Sequence, residues 1–248
     1  MKVENVQFGY DKSHPIINNV SFTMNGQYYL AVVGASGCGK STLLRLISGN
    51  LPSDKNLFYQ GRILIDGLCP EENVKKGTTG FMFQDPALFP NRNVWDNINL
   101  PLTLRKKSDK EWVDHLIEKV GLTAYKNYLP SQLSGGMKTR VALARTFVTR
   151  PQLILLDEPF GALDVKWKSI LYKELETLRG EVSARVIIVT HDIQEALLLS
   201  NKILVMSKDG RIAEDILIEY PLPRVFGDED VFGLEREYKK IKKLIIED

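Results

Sequence analysis

The sequence has little cysteine, no excess of charge and no long apolar run. Cys38 and Cys69 are its only two cysteines in 248 residues. They lie far apart and outside any CxxC pair, which excludes a disulfide framework or a cysteine-based zinc site and fits a reducing compartment. The N-terminus, MKVENVQFGYDK, lacks the apolar core of a signal peptide. Apolar stretches such as residues 153–156 and 196–199 fall far short of the ~20 residues a membrane helix needs, so any work at a membrane would run through a partner. The 33 basic and 31 acidic residues leave a net charge of +2, and nothing in that balance asks for nucleic acid. Repeats and low-complexity tracts are absent as well. What remains is an ordinary globular composition, 44% apolar and 26% charged, long enough for one substantial core or a main domain with a smaller insert.

Residues 3–8, 20–24 and 28–33 read as antiparallel strands, with a turn at Asn25-Gly26. Residues 41–48 turn helical, with Leu43, Leu44 and Ile47 on one face. Residues 61–66 form another strand, ending at Asp66-Gly67. The middle of the chain is helical: Trp112, Val113, Leu116, Ile117 and Val120 recur at helical spacing. Ser134 opens a helix that Pro151 stops. Residues 153–156 and 186–189 read as buried parallel strands, with a helix between them. The expected fold class is α/β. A single domain (1–248) would comprise a mainly antiparallel β-subdomain (1–32), an α/β core (33–90 and 150–220), a helical insert (91–149) and a C-terminal tail helix (221–248).

Three motifs carry chemistry. Gly34-Ala35-Ser36-Gly37-Cys38-Gly39-Lys40-Ser41 matches GxxxxGK[ST] and lies between an expected strand and an expected helix, which continues with Thr42. Its glycines let backbone N–H groups wrap phosphate oxygens, and the helix adds its positive end. Lys40 would meet the β- and γ-phosphates, and the Ser41 hydroxyl would ligate Mg²⁺. A plain glycine turn beside a surface lysine is the bland alternative, and the strand–helix context argues against it. Asp157-Glu158 ends an apolar strand. Beside a phosphate loop, Asp157 suits the Mg²⁺ hydration shell and Glu158 suits a general base for water; alone, many strands end in an acid. Leu133-Ser134-Gly135-Gly136-Met137 is a second anion-ready helix start.

With that third motif the chain resembles the ATP-binding subunits of ABC transporters, a P-loop NTPase fold whose signature is LSGGQ or a close variant. The elements follow the family's order over nearly the whole chain. Tyr10 matches the aromatic residue that stacks on adenine, though a half-buried strand aromatic is the other reading. Gln84 matches the Q-loop glutamine, which touches Mg²⁺ and water, against the alternative of a surface amide. Gly161-Ala162-Leu163-Asp164 matches the D-loop and His191 the switch histidine; His14 and His115 have no such context. The resemblance implies ATP and Mg²⁺ as ligands and ATP hydrolysis as the activity. It also implies a head-to-tail dimer in which Ser134, Gly135 and Gly136 contact the γ-phosphate held by the other copy.

The long helical insert, Phe89-Pro90 with the Val94-Trp95-Asp96-Asn97-Ile98 run, and Asp164 resemble importer-type ATPases. The Gly136-Met137 of the signature, residues 159–164 and the run from Thr190 to Ala196 are most similar to the nitrate/sulfonate/taurine group, as is the ending at residues 221–224. Lys138-Thr139 and the longer segment at residues 50–60 depart from that pattern. The implied role is the peripheral, energy-coupling subunit of an importer at the cytoplasmic face of the cell membrane. Its partners would be a second copy, transmembrane permease subunits and, indirectly, an extracytoplasmic solute-binding protein, with no nucleic acid. The alternatives are a mechanical or lipid-extracting membrane complex and a non-transport ABC ATPase. The latter is disfavoured because no long coiled coil and no second cassette is present. The tail, with Phe232, Leu234, Tyr238, Ile241 and Leu244 among charges, is expected to pack on the domain.

Overall fold

The computed structural model describes residues 1–25, 29–50, 57–222, 224 and 233–246. They fall into two units, Met1–Lys76 with Val186–Asp248, and Gly77–Arg185. Gly26 of the expected turn, residues 51–56 of the longer segment, Pro223 of the ending and Phe232 of the tail lie outside the described residues.

In the first unit, β1 (Lys2–Gly9), β2 (Ile17–Thr23) and β4 (Phe58–Leu64) form an antiparallel sheet in the order β2-β1-β4, with Val3 opposite both Phe22 and Ile63. The strand after β2 corrects the sequence reading. Residues 28–33 were expected among the antiparallel strands, but β3 (Tyr29–Gly34) runs parallel to β7 (Arg185–Val189) and β8 (Lys202–Met206), with Leu30 opposite Ile187 and Val32 opposite Leu204. The reason is burial: all six residues of β3 are buried. A strand covered on both faces belongs in a parallel sheet, whereas one that alternates suits an antiparallel sheet with one wet face. β9 (Ile212–Leu217) pairs antiparallel with β8.

Among the described residues four helices complete this unit: α1 (Lys40–Ser48), α2 (Pro70–Lys76), α7 (Ile193–Leu199) and α8 (Glu235–Ile246). Ala31, Val33, Leu197, Ile203 and Val205 form a buried cluster that also takes in Leu234 and Ile241. Tyr238, Leu244 and Ile245 pack against it, so the tail does dock as a helix. Buried Arg224 donates to the carbonyls of Leu197, Ser200 and Tyr220, satisfying acceptors at the end of α7 that the helix itself leaves open. Burial pushes its pKa down to about 10, still cationic at neutral pH.

In the second unit, β5 (Thr79–Met82) pairs in parallel with β6 (Leu153–Asp157). Its helices are α3 (Val94–Leu104), α4 (Lys110–Lys119), α5 (Gly135–Phe147) and α6 (Val165–Val182). Each starts on a side-chain cap: Asn93, Asp109, Ser134 and Asp164 each accept the N–H of the residue three positions on. α3, α4 and α5 pack on one another and bury Ile98, Val113, Leu116 and Val141. The expected insert therefore shares its unit with β5, β6 and α6. Sequence reading did not single out α2, α7, β8 or β9. The apolar run of β8 before Asp209-Gly210 was the hairpin signal that would have found the last two. No described helix is long and apolar enough to cross a membrane.

Candidate functional site

The phosphate loop joins β3 to α1. Ser36 and Gly37 are exposed at its tip, Ala35 is half-buried, and Cys38, Gly39 and Lys40 are buried. Gly39 has φ +101°, and a Cβ there would lie 2.8 Å from the Ile16 carbonyl oxygen and 2.9 Å from Ile17 Cδ1. Only glycine serves at that position. A Cβ at Gly34 would lie 2.5 Å from the Met206 carbonyl oxygen, so the loop is seated on the protein at both ends. Gly37 (φ +81°) differs, because a Cβ there would meet nothing within 4 Å. A Cβ at Gly210, in the β8–β9 turn at φ +77°, would run into the same Ile16 carbonyl oxygen.

α1 begins without a side-chain cap, so the N–H groups of its first turn and its positive dipole end face the loop. Ser41 and Thr42 stand half-buried on that turn. Lys40, a residue only 6% exposed, donates from Nζ to the carbonyls of Gly34 (2.9 Å) and Ala35 (2.8 Å). This donor set fits a chain of phosphates. In the same unit Tyr10 lies just past β1, 63% exposed, so it is not the half-buried strand aromatic. His191 is exposed after β7, next to Asp192, which caps α7 by accepting from Gln194 N–H and Glu195 N–H.

The second unit holds the acids. Asp157 ends β6 with 2% exposure. Glu158 follows in the left-handed region, φ +48°, a conformation that costs about 1–3 kcal/mol in a non-glycine residue and persists where the surroundings enforce it. Gln84, just beyond β5, donates from Nε2 to Glu158 Oε2 at 3.1 Å. The sequence reading assigned these two residues separately; the fold brings them into contact.

The segment after Gln84 is held by two side chains that sequence reasoning missed as supports. Arg145 on α5 donates to the carbonyls of Pro86 (2.6 Å) and Ala87 (3.0 Å). Asn97, fully buried on α3, donates to the carbonyls of Phe89, Arg92 and Asn93 and accepts Phe89 N–H. An amide beside Val94 and Ile98 on the apolar side of a helix was the available signal.

At the signature turn Ser134 Oγ accepts Met137 N–H at 3.3 Å. Gly135 is exposed, and a Cβ there would meet nothing within 4 Å; at Gly136 it would lie 3.1 Å from Leu163 Cδ2 and 3.3 Å from the Ala162 carbonyl oxygen. The D-loop therefore backs the signature. Asp164 ends that loop by capping α6 at Trp167 N–H, 2.9 Å. Among the described residues no three His, Cys, Asp or Glu side chains converge on a metal-sized site. A Mg²⁺ carried by phosphates needs only one or two protein groups and fits the buried carboxylate here.

Residues 17–161 match the ABC transporter family. The chain is 39% identical over 233 residues to an aliphatic sulfonates import ATP-binding protein SsuB of Bacillus cereus, covering 94% of this chain and 87% of that one. It is 41% identical over 241 residues to the spermidine/putrescine import ATP-binding protein PotA of Nitrosospira multiformis, covering 94% of this chain and 64% of that one. Among solved structures, the dimeric post-hydrolysis state of the ATP-binding cassette MJ0796 bound to ADP and Pi superposes with a TM-score of 0.77 at 27% identity, covering 89% of this chain and 99% of that one. A fold of this topology, with phosphate loop, acid strand and signature in order, identifies the chain as a member of the ABC transporter family, one of its ATP-hydrolysing cassettes.

Proposed function

We propose that this cassette is the energy-coupling subunit of an importer, acting as a head-to-tail pair of identical copies on the cytoplasmic face of the membrane beneath separate permease subunits. The observation that carries the reading is the unequal pair of glycine-rich helix starts within one chain. One has the lysine and no side-chain cap; the other is capped, with Gly135 open to the outside. A single nucleotide needs one such start from its own chain, and the second suits the γ-phosphate held by another copy.

Each side chain then has a task. Tyr10 stacks on the base, and residues 34–42 hold the triphosphate through backbone N–H groups, with Lys40 at the β- and γ-phosphates. Ser134, Gly135 and Gly136 close on the partner's γ-phosphate. Ser41 and Gln84 would hold Mg²⁺, with Asp157 toward its water shell, and the ion would supply positive charge against the phosphates. Glu158 takes the proton of the attacking water, with Gln84 orienting its carboxylate, and His191 steadies the γ-phosphate. Gln84 and the segment pinned by Arg145 and Asn97 report nucleotide state to the permease. An extracytoplasmic solute-binding protein would deliver the cargo. Relatives of nearly equal identity carry sulfonates in one name and polyamines in another, so the cargo is chosen by the other subunits.

The test is Glu158→Gln. ATP turnover should fall at least about 100-fold, with an ATP-bound dimer stable enough to isolate by size-exclusion chromatography. Normal turnover would remove the general-base assignment. Native purification should recover a membrane permease; recovery with a lipid-handling or cell-wall complex instead would replace the importer reading.

A further inference from the structure

The signature helix and the D-loop are joined by contacts outside both motifs. Arg140 follows Gly136 by one turn on α5 and is only 5% exposed. Its guanidinium carbon lies 3.7 Å from the centroid of the Trp167 ring. Nη1 donates to the carbonyls of Val120 (2.9 Å) and Gly121 (3.3 Å), just past the end of α4. Gly121 has φ +65°, and a Cβ there would sit 2.7 Å from the same Trp167 ring. Trp167 also supplies the backbone N–H that Asp164 caps. Burial lowers the Arg140 pKa, while Asp164 and Tyr125 nearby oppose that shift.

The contacts form two rungs. Gly136 abuts Leu163, and four residues further along each chain segment Arg140 stacks on Trp167. A planar guanidinium clamped between two carbonyls and an indole face has one geometry, which lysine or an aliphatic side chain does not reproduce. The lower rung offers only the Leu163 methyl and the Ala162 carbonyl beside a glycine, which fixes the two segments less firmly than the stack does.

We propose that the Arg140–Trp167 stack is a positioning device that fixes the signature and the D-loop as one rigid piece, so that both surfaces reach the second copy together. Arg140 and Trp167 are positioning residues, acting through residues 134–136 and 161–164. The inference rests on the head-to-tail dimer reading above, and it assigns to the stack the ATP concentration at which the dimer closes.

The experiment titrates ATP against dimer formation, read by light scattering, in the Glu158→Gln background, and measures separately the monomer's affinity for a fluorescent ATP analogue. Trp167→Leu and Gly121→Ala attack the stack from different elements, Arg140→Lys keeps the charge without the plane, and Trp167→Phe restores an aromatic face. The first three should raise the half-maximal ATP concentration for dimerisation about tenfold, with monomer affinity unchanged. Trp167→Phe should recover most of the loss. With Glu158 intact, KM should rise while kcat at saturating ATP holds. A Trp167→Leu variant that dimerises at the parent's ATP concentration would overturn the positioning role. So would an equal loss of monomer affinity, because that marks a general structural defect. Failure of the Glu158→Gln parent itself to dimerise would remove the dimer reading, and the stack's role with it.

Discussion

The two glycine-rich helix starts use the same residue types for opposite mechanical purposes. In the phosphate loop glycine is wanted where the protein crowds in: Gly34 and Gly39 touch backbone behind them, and α1 has no side-chain cap. In the signature turn the outermost glycine, Gly135, faces open space, Ser134 caps the helix, and packing begins only at Gly136. The first loop is shaped by its own chain, as a pocket for a proposed ligand would be. The second has its outer glycine exposed, as a surface meant for another molecule would be. Glycine content alone does not separate a pocket from a docking face; what a Cβ would touch does.

Substitutions can sharpen or break this contrast. Gly39→Ala should have the largest effect: a positive φ and a carbonyl 2.8 Å from the new methyl should cost roughly 2–4 kcal/mol in chemical unfolding and abolish measurable ATP binding. Ser134→Ala should cost about 1 kcal/mol through the lost cap, leaving ATP affinity of the monomer unchanged. Gly135→Ala should alter stability by no more than about 0.5 kcal/mol, yet weaken ATP-driven dimerisation. If Gly135→Ala unfolds the chain as Gly39→Ala does, the distinction between pocket and face fails.

Acid gives the smallest effect, and it concerns the helical unit. Arg150 and the Trp112 N–H hold the Asp109 carboxyl below its usual range, and Lys126 with Trp95 does the same for Asp114. Because these folded-state pKa values are depressed, their contribution is complete above the unfolded value of about 3.9 and fades as pH falls through the folded values. Both carboxyls are partly exposed, so the loss below about pH 4 should be slight. It should shrink further in Asp109→Asn, followed by circular dichroism.

Much of the candidate site was legible because its motifs are contiguous. The spacing from Gly34 to Ser41 and the cluster from Leu133 to Met137 are local patterns with local physical reasons. The helix over residues 110–120 showed equally well in its periodicity. The direction of β3 did not, because it is set by β7 and β8, more than 150 residues further along. Long-range pairs were hidden for the same reason: Gln84 with Glu158, Arg145 with the Pro86 carbonyl, Arg140 with Trp167. Each partner was visible as a residue, and only folding made it a contact.

The β8–β9 turn bears on how this protein can be handled. A Cβ at either Gly210 or Gly39 would run into the Ile16 carbonyl oxygen, and the Gly210 carbonyl accepts Asn18 N–H at 2.9 Å. By usual reasoning a hairpin tip is a convenient place for an epitope tag, a fluorescent label or a circular-permutation cut. Here a bulky graft at residues 207–211 would push through one peptide group into the loop that grips the nucleotide. Genetic screens should accordingly recover loss-of-transport alleles at Gly210, and a tag is better fused elsewhere.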